Sequence, residues 1–263
     1  TLGRSSTLWI GLSVVLGMSY VLHLFVRLQS HFIQALLLLT FACAVGSCAR
    51  AAWRKRARFS FDARRITRAA PLFLAAFIVF LVVARGVFAD VNNFDSYLYH
   101  LEVIEYLSTE RVVVGLANLH TRLGFHSSIY NVASLFENGT WSSDGFRLAN
   151  GFIMGLAALE WTSRSRTLAR GSLTPGSVPV LLGVPVLFAW GLGIPSFFVA
   201  SPGPDLCAAL VAVVALGYLL DLLFEPTNAH AVGALVLCGL AMTFRPINAV
   251  LLAFATGLIV VLR

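Results

Sequence analysis

The sequence predicts an all-α membrane protein, a bundle of about eight transmembrane helices with amphipathic helices in one long outer loop. Its composition is the first reason: 58% of the 263 residues are hydrophobic and 12% are charged, against about 45–50% and about 25% in soluble domains. The mean hydropathy of +0.83 is the second. Third, uncharged runs of roughly 20 residues, enough to cross about 30 Å of hydrocarbon, recur along the chain. Its 20 Phe residues exclude a disordered chain.

Eight apolar runs are the predicted spans. They cover residues 7–26, 32–49, 69–89, 148–161, 178–192, 206–220, 229–244 and 247–262. The third is interrupted only by Arg85, close enough to one end to reach lipid headgroups. The fourth is the shortest and contains Glu160 near its end. The four cysteines lie within apolar runs, so the sequence indicates neither a zinc site nor a disulfide framework.

The distribution of basic residues predicts the orientation. Eight of the 19 Lys and Arg residues fall between Arg50 and Arg68, which is typical of a cytoplasmic loop and not of a nucleic-acid surface. Counting spans from this loop puts both ends of the sequence inside, residues 90–147 and 195–204 outside, and the loop with Arg164, Arg166 and Arg170 inside. Two basic loops therefore agree on one multi-pass topology, and no nucleic-acid partner is expected.

This topology divides the chain into three parts. Residues 1–89 form three N-terminal spans with the basic loop 50–68, residues 90–147 form an extracytoplasmic loop, and residues 148–263 form the further spans. The loop holds seven of the 12 acidic residues and three of the six histidines. Connections of this length are usually functional, so we expect any chemistry to lie there.

Two surface helices are predicted in the loop. The first follows Asp95 and Ser96, either of which can cap it, and has apolar residues at helical spacing: Tyr97, Leu101, Ile104 and Leu107. We expect it to lie on the outer membrane surface with its apolar side toward lipid or the bundle. A second helix is expected within residues 123–136.

Four segments resemble a known family. Residues 93–101 (NFDSYLYHL) and 114–128 (VGLANLHTRLGFHSS) resemble the first outer loop of bacterial membrane proteins of the C-type glycosyltransferase (GT-C) superfamily, in a subgroup of unassigned substrate. Residues 201–205 (SPGPD) and 241–245 (AMTFR) are similar to two further landmarks of that subgroup. The resemblance extends over most of the chain from about Pro71 onward.

The resemblance implies a polytopic enzyme of the bacterial cytoplasmic (inner) membrane. Such enzymes transfer a sugar from a polyprenyl-phosphate donor at the extracytoplasmic face, so the implied partners are membrane lipids and the lipid-linked sugar, with no certain cofactor. The family's outer-loop acid near the reaction centre corresponds to Asp95. A neighbouring acid is common, and the candidates are Asp90 and, less directly, Glu102. These enzymes usually have more residues and spans, so we expect a truncated piece.

The chemistry of sugar transfer gives the remaining acid and aromatic residues their candidate roles. A base must take the acceptor proton, and Asp95 and Asp90 are the catalytic candidates. Capping a helix is the alternative for Asp95. Tyr99, four residues beyond Asp95, can bond its carboxylate, whereas His100 at five residues is rotated away on an α-helix. Membrane anchoring is favoured for Tyr97.

The departing phosphate needs a positive partner, and Arg122 and Arg245 are the strongest candidates. Pairing with headgroups or with a loop carboxylate is the alternative for both, and Arg85 is a third candidate. Asp205 is either a substrate-binding residue or a helix cap. Tyr99, His100 and His120 are also predicted to bind substrate. The spacing of His100, His120 and His126 matches no familiar metal site, so no metal is expected.

Two other functions stay open. The chain could be a non-catalytic, degenerate GT-C-like subunit that packs against other membrane subunits of a larger complex. A transporter is the third possibility, although apart from Arg85 and Glu160 the predicted spans lack the ionisable residues that ion-coupled carriers use.

Overall fold

The structure is a computed structural model that describes residues 4–56, 74, 77–124, 126–137, 143–193 and 197–262. The described residues form helices and turns without a β-strand, so the all-α prediction is confirmed. The helices are α1 (Arg4–His23), α2 (His31–Arg56), α3 (Phe77–Val87), α4 (Leu101–Thr109), α5 (Leu116–Leu119), α6 (Ser128–Phe136), α7 (Leu148–Ala169), α8 (Ser177–Gly193), α9 (Phe197–Ala200), α10 (Pro204–Phe224), α11 (Asn228–Phe244) and α12 (Ala249–Leu262).

A helix lies at each predicted span. Of the described helices, two are long and apolar enough to cross a membrane by length and composition, over Ser6–His23 in α1 and Pro204–Phe224 in α10. The apolar stretches in α2, α3, α8 and α11, and that of Pro246–Leu262, are shorter. Residues 57–68 of the predicted basic loop lie outside the described residues.

Helix α10 is the centre of the bundle, and it packs against α7, α8, α11 and α12. Leu206, Leu210 and Val214 along it are fully buried. Its contact with the start of α8 is close because both sides are glycine. A Cβ atom added to Gly176 would lie 2.0 Å from the carbonyl oxygen of Gly217. Any side chain at Gly176 would therefore separate the two helices.

The first surface helix differs from its prediction in register. Ser96–His100 form a π-helical turn that continues into α4. Because a π-turn holds more residues than an α-turn, the buried face takes in Tyr99 and His100, while the predicted apolar residue Tyr97 is exposed. At the other end of this face the buried residues are Val103 and Ile104. It packs against α6, so the bundle, and not lipid, covers the apolar side of α4.

A buried ion-pair triad joins α7 to α10. Arg164 donates through Nε to Glu160 Oε1 at 3.0 Å and through Nη1 to Asp221. The remaining Asp221 oxygen accepts from the Gly176 backbone N–H at 3.0 Å, and Arg164 also lies over the Tyr218 ring. Glu160 and Asp221 are buried. Paired charges of this kind tolerate burial far better than isolated ones do, so the triad fixes this end of the bundle.

The α1–α2 turn is bound to the far end of α4. The Leu28 and Gln29 backbone N–H groups donate to the carbonyls of Leu107 and Ser108, each at 3.1 Å. The Val112 N–H donates to the His23 carbonyl at 3.2 Å. These bonds place the 24–30 turn and the 107–112 segment together, at the end of α1.

Candidate functional site

Two segments far apart in sequence meet at the N-terminal end of α10. The hydroxyl of Ser201 accepts a hydrogen bond from Asn93 Nδ2 at 3.2 Å and shares one of 2.7 Å with the Ser96 hydroxyl. It also accepts from the Gly203 backbone N–H at 3.1 Å. Ser201 is therefore a junction between the start of the π-helical turn and the 201–205 segment.

A single buried amide holds the 201–205 segment against the bundle. Asn150 Nδ2, on α7, donates to the carbonyls of Phe198, Ser201 and Gly203 at 3.1, 2.6 and 3.0 Å. Buried backbone carbonyls need hydrogen-bond donors, and Asn150 supplies one to Ser201 and to Gly203. Asn150 thus fixes the backbone from which Asp205 projects.

Asp95 forms an ion pair with Arg122. Arg122 Nη1 lies 3.3 Å from Asp95 Oδ1, and the two side chains are 45% and 40% exposed. The guanidinium also lies over the Tyr99 ring, 5.3 Å from its centroid. No side-chain cap comes from Asp95, whose own backbone N–H donates to Asn93 Oδ1 at 3.0 Å. Asp95 thus holds the N-cap position of the π-helical turn without a side-chain cap hydrogen bond, and its carboxylate is paired with Arg122.

Asp205 forms a second pair, with Arg245. Asp205 lies in the first turn of α10 without capping it by a side-chain hydrogen bond, and Arg245 follows the last residue of α11. Both side chains are exposed. The α11 end is held in place by Ser127, whose hydroxyl donates to the Phe244 carbonyl at 2.8 Å.

His100 is buried near both ion pairs, and all four of their charged groups act on it. It is 2% exposed, and within the described part of the chain neither of its ring nitrogens has a hydrogen-bond partner. Burial lowers the pKa of His100 to about 4; Asp95 and Asp205 oppose this effect, and Arg245 and Arg122 add to it. The imidazole is therefore neutral at pH 7, with one N–H donor and one acceptor nitrogen available.

Aromatic rings enclose His100. The ring of Tyr99 meets it edge-on with centroids 4.3 Å apart, and the ring of Tyr130 lies 5.5 Å away. Tyr130 is on α6 and is buried. Burial raises the pKa of the Tyr130 phenol, so its hydroxyl keeps its proton.

Six of the eight predicted site residues come together here. We call this group the Asp95 cluster; it consists of Asp95, Tyr99, His100, Arg122, Asp205 and Arg245. The other two, Asp90 and His120, are exposed, and within the described residues neither forms a hydrogen bond or ion pair with the cluster. Arg85 is likewise exposed on α3, outside the cluster.

Two contacts differ from those expected, and three contributing residues were missed. The Tyr99 ring lies beneath the Arg122 guanidinium, where a bond from Tyr99 to Asp95 was expected. The charge of Asp95 acts on the pKa of His100. The π-turn brings these residues, five positions apart, to the same face of the helix. Asn150, Tyr130 and Ser127 were not predicted. They are polar residues within or beside apolar runs, and only that polarity could have indicated them.

The cluster combines features suited to an anionic ligand and to proton transfer. Two guanidinium groups that are only partly buried can bind phosphate oxygens, and a carboxylate beside each can exchange a proton. Among the described residues, no group of three or more His, Cys, Asp or Glu side chains is arranged to hold a metal ion.

The low pKa of His100 makes the stability of the fold depend on pH. In the unfolded chain a histidine titrates near pH 6.5. Between that pH and about 4 the unfolded state therefore binds more protons than the folded state, and stability falls as the pH is lowered. Between pH 7 and pH 5 we expect His100 to account for about 2 kcal/mol of the stability that is lost, and we expect His100→Asn to lose less by that amount. Denaturant titrations of both chains in detergent at the two pH values measure this, and equal losses would contradict it.

Comparisons with known proteins give one match. A family model described as Domain of unknown function (DUF8201) matches residues 2–263. No curated protein and no solved structure matches the chain.

Proposed function

The chain belongs to the DUF8201 family, and from its Asp95 cluster we propose that it is an integral-membrane glycosyltransferase of the GT-C type. It transfers a sugar from a polyprenyl-phosphate donor at the extracytoplasmic face of a bacterial inner membrane. One observation carries the proposal. The segments that resemble GT-C enzymes lie far apart in sequence, yet residues 93–101, 114–128, 201–205 and 241–245 contribute Asp95, Arg122, Asp205 and Arg245 to one cluster.

The proposal includes an eight-span bundle with both ends of the chain in the cytoplasm. Helices occur at all eight apolar runs, and several expose large apolar side chains that lipid would cover. Examples are Leu38 and Phe41 on α2, Phe80 on α3, and Val250 and Val261 on α12. Soluble monomers rarely expose apolar surface on this scale.

The two ends of α10 support the same topology. Asp205 in its first turn belongs to the Asp95 cluster, whereas Asp221 near its other end belongs to the Arg164 triad. At 1.5 Å per residue these carboxylates are roughly 24 Å apart along the axis, close to the thickness of the hydrocarbon core. The triad adjoins the basic loop assigned to the cytoplasm, so the Asp95 cluster faces outside.

In the proposed mechanism, the donor phosphate replaces the carboxylates of Asp95 and Asp205 as the partner of the two guanidinium groups. It binds Arg122 and Arg245, which frees Asp95 from its ion pair beside the acceptor hydroxyl. The acceptor oxygen forms a bond to the anomeric carbon while the bond from that carbon to the phosphate oxygen breaks. Asp95 takes the acceptor proton, and polyprenyl phosphate leaves with the bonding electrons. His100, neutral and buried, supplies an uncharged hydrogen-bonding group beside these atoms.

A transfer assay tests the proposed function. The purified chain in lipid nanodiscs is incubated with a panel of polyprenyl-phosphate sugars and with extracts containing acceptors, and mass spectrometry follows release of polyprenyl phosphate. We expect release of the free carrier together with a sugar-modified acceptor. Donors that all stay intact over the full panel, while the protein stays folded, would contradict the proposal.

A second candidate function is a non-catalytic subunit of a membrane complex. It is favoured by α2, which carries exposed apolar side chains along its length, among them Leu38, Leu39, Phe41 and Val45. Such a helix fits against another membrane subunit as well as against lipid. Gentle purification distinguishes the two functions. A stable stoichiometric partner, together with full function of Asp95→Asn, would favour the subunit.

A further inference from the structure

An apolar loop next to the Asp95 cluster is exposed. Residues 112–119 contain no charged side chain, and Val114 and Leu119 in this loop are 94% and 75% exposed. Gly115 turns the chain at φ +89°, the left-handed region that suits glycine, and so presents Val114 at the tip. Leu116 packs against the core and ties the loop to the bundle. The 112–119 loop is thus a fixed apolar projection.

The position of this loop relative to α1 is set by hydrogen bonding. The Val112 N–H donates to the carbonyl of His23, the last residue of α1. α1 has 20 residues, so it spans roughly 30 Å, the thickness of the hydrocarbon core. If α1 crosses the membrane as proposed above, the loop starts at the outer boundary of the hydrocarbon.

The exposed apolar surface continues from α1 into the loop. Val14, Met18 and Val21 are exposed on α1, Phe25 follows in the α1–α2 turn, and Val114 projects from the adjoining loop. Exposed apolar side chains therefore occur on α1, in the α1–α2 turn, where Arg27 is the exposed charged residue, and in the loop. Because the Val112–His23 hydrogen bond joins the loop to the end of α1, the lipid that covers α1 in the proposed topology also meets the loop.

Charged residues mark where the apolar surface stops. Arg111 precedes the loop, and Arg122, which holds Asp95, follows it by three residues. Arginines at the edge of an inserted segment lie at headgroup depth, where they meet lipid phosphates. The loop and its flanking arginines thus have the order of an interfacial anchor, apolar at the tip and basic at the base.

We propose that the 112–119 loop inserts into the outer leaflet and holds the Asp95–Arg122 pair at the depth of the lipid phosphates. The partner is the leaflet itself. This inference rests on the membrane orientation of the proposed function and adds to it a device that sets the depth of the site. It does not require that the chain be catalytic.

Spin labelling measures the depth of the loop. Val114→Cys is made in a chain whose Cys43 and Cys48 are replaced by Ala, and the full protein is labelled with a nitroxide in nanodiscs. Glu105→Cys, exposed on α4, is the matched control. The unmodified background measures any label on buried Cys207 and Cys238. Collision rates with oxygen, which concentrates in lipid, and with a water-soluble nickel chelate are then compared.

We expect oxygen to collide more than nickel with the label at residue 114 and the order to reverse at residue 105. Nickel accessibility at residue 114 equal to that at residue 105 would overturn the proposal, because the loop would face water. Low accessibility to both probes would overturn it as well, because another protein would cover the loop. Sugar transfer is a separate readout. A chain that transfers sugar with a water-exposed loop refutes only the insertion, and an inserted loop without transfer refutes only the enzyme.

Discussion

Asp95→Asn is expected to abolish sugar transfer and to leave the fold intact. The amide cannot accept the acceptor proton, and a positioned general base contributes about 10²–10⁴-fold to a rate. Stability should hardly change, because the Asp95–Arg122 pair is about half exposed and such pairs contribute about 0–1 kcal/mol. The rate of polyprenyl-phosphate release at saturating donor measures the first effect, and thermal denaturation measures the second.

Asp90→Asn is the matched control, because Asp90 is the other acid that the sequence offers as catalytic and it lies outside the Asp95 cluster. It should retain the full transfer rate. A rate lost with Asp90→Asn and kept with Asp95→Asn would assign the base to Asp90 and contradict the mechanism.

Arg164→Met is expected to cause the largest loss of stability. It leaves Glu160 and Asp221 buried as carboxylates without their guanidinium partner. Removing one partner of a buried ion pair costs about 3–5 kcal/mol. The free energy of unfolding, from denaturant titration in detergent, measures the loss.

Arg166→Met on the same helix is the control for this loss. Arg166 is exposed, and substitutions at such positions usually stay within about 0.5 kcal/mol. A triple variant that also carries Glu160→Gln and Asp221→Asn removes the uncompensated charges and should recover part of the stability. Equal stabilities of Arg164→Met and Arg166→Met would show that the triad does not hold this end of the bundle.

The helices could be predicted from apolar runs, because the length of a run and the charged residues that interrupt it can be read directly from the local sequence. The clearest deviation is α7, predicted over residues 148–161 and extending to Ala169. Arg164 lies beyond the apolar run in sequence, but in the fold it belongs to α7 and forms ion pairs with Glu160 and Asp221. The third partner lies 57 residues from Arg164, so the sequence pattern around α7 could not indicate it.

The register of the first surface helix could not be predicted. Period 3.6 placed Tyr97 on the apolar side of this helix, toward lipid or the bundle, and rotated His100 away from Asp95. In the π-turn Ser96–His100 the buried residues are Ser96, Tyr99 and His100, and Tyr97 is exposed. The hydroxyl of Ser96 in this turn is hydrogen-bonded to that of Ser201, and this partner belongs to a segment more than a hundred residues away.

The residues of the site could be predicted from the sequence better than the contacts between them. The carboxylates and guanidinium groups stood out because charge is scarce in this chain. Their pairing, Asp95 with Arg122 and Asp205 with Arg245, was open in the sequence, since snorkelling to headgroups and pairing with a carboxylate were both alternatives. Asn150 was missed because its role depends on the carbonyls of Phe198 in α9 and of Ser201 and Gly203 after it, which α7 meets only in the fold.

Binding of polyprenyl phosphate tests most directly whether the Asp95 cluster is a lipid-phosphate site. The dissociation constant is measured in nanodiscs for the natural chain, Arg122→Gln and Arg245→Gln, with Arg170→Gln in the basic loop after α7 as the control. A hydrogen bond to a charged group contributes about 1.5–3 kcal/mol, so each cluster variant should bind about tenfold or more weakly. Arg170→Gln should bind normally, and uncharged polyprenol should show no difference among the four chains. Equal affinity of all four chains for polyprenyl phosphate would contradict the account.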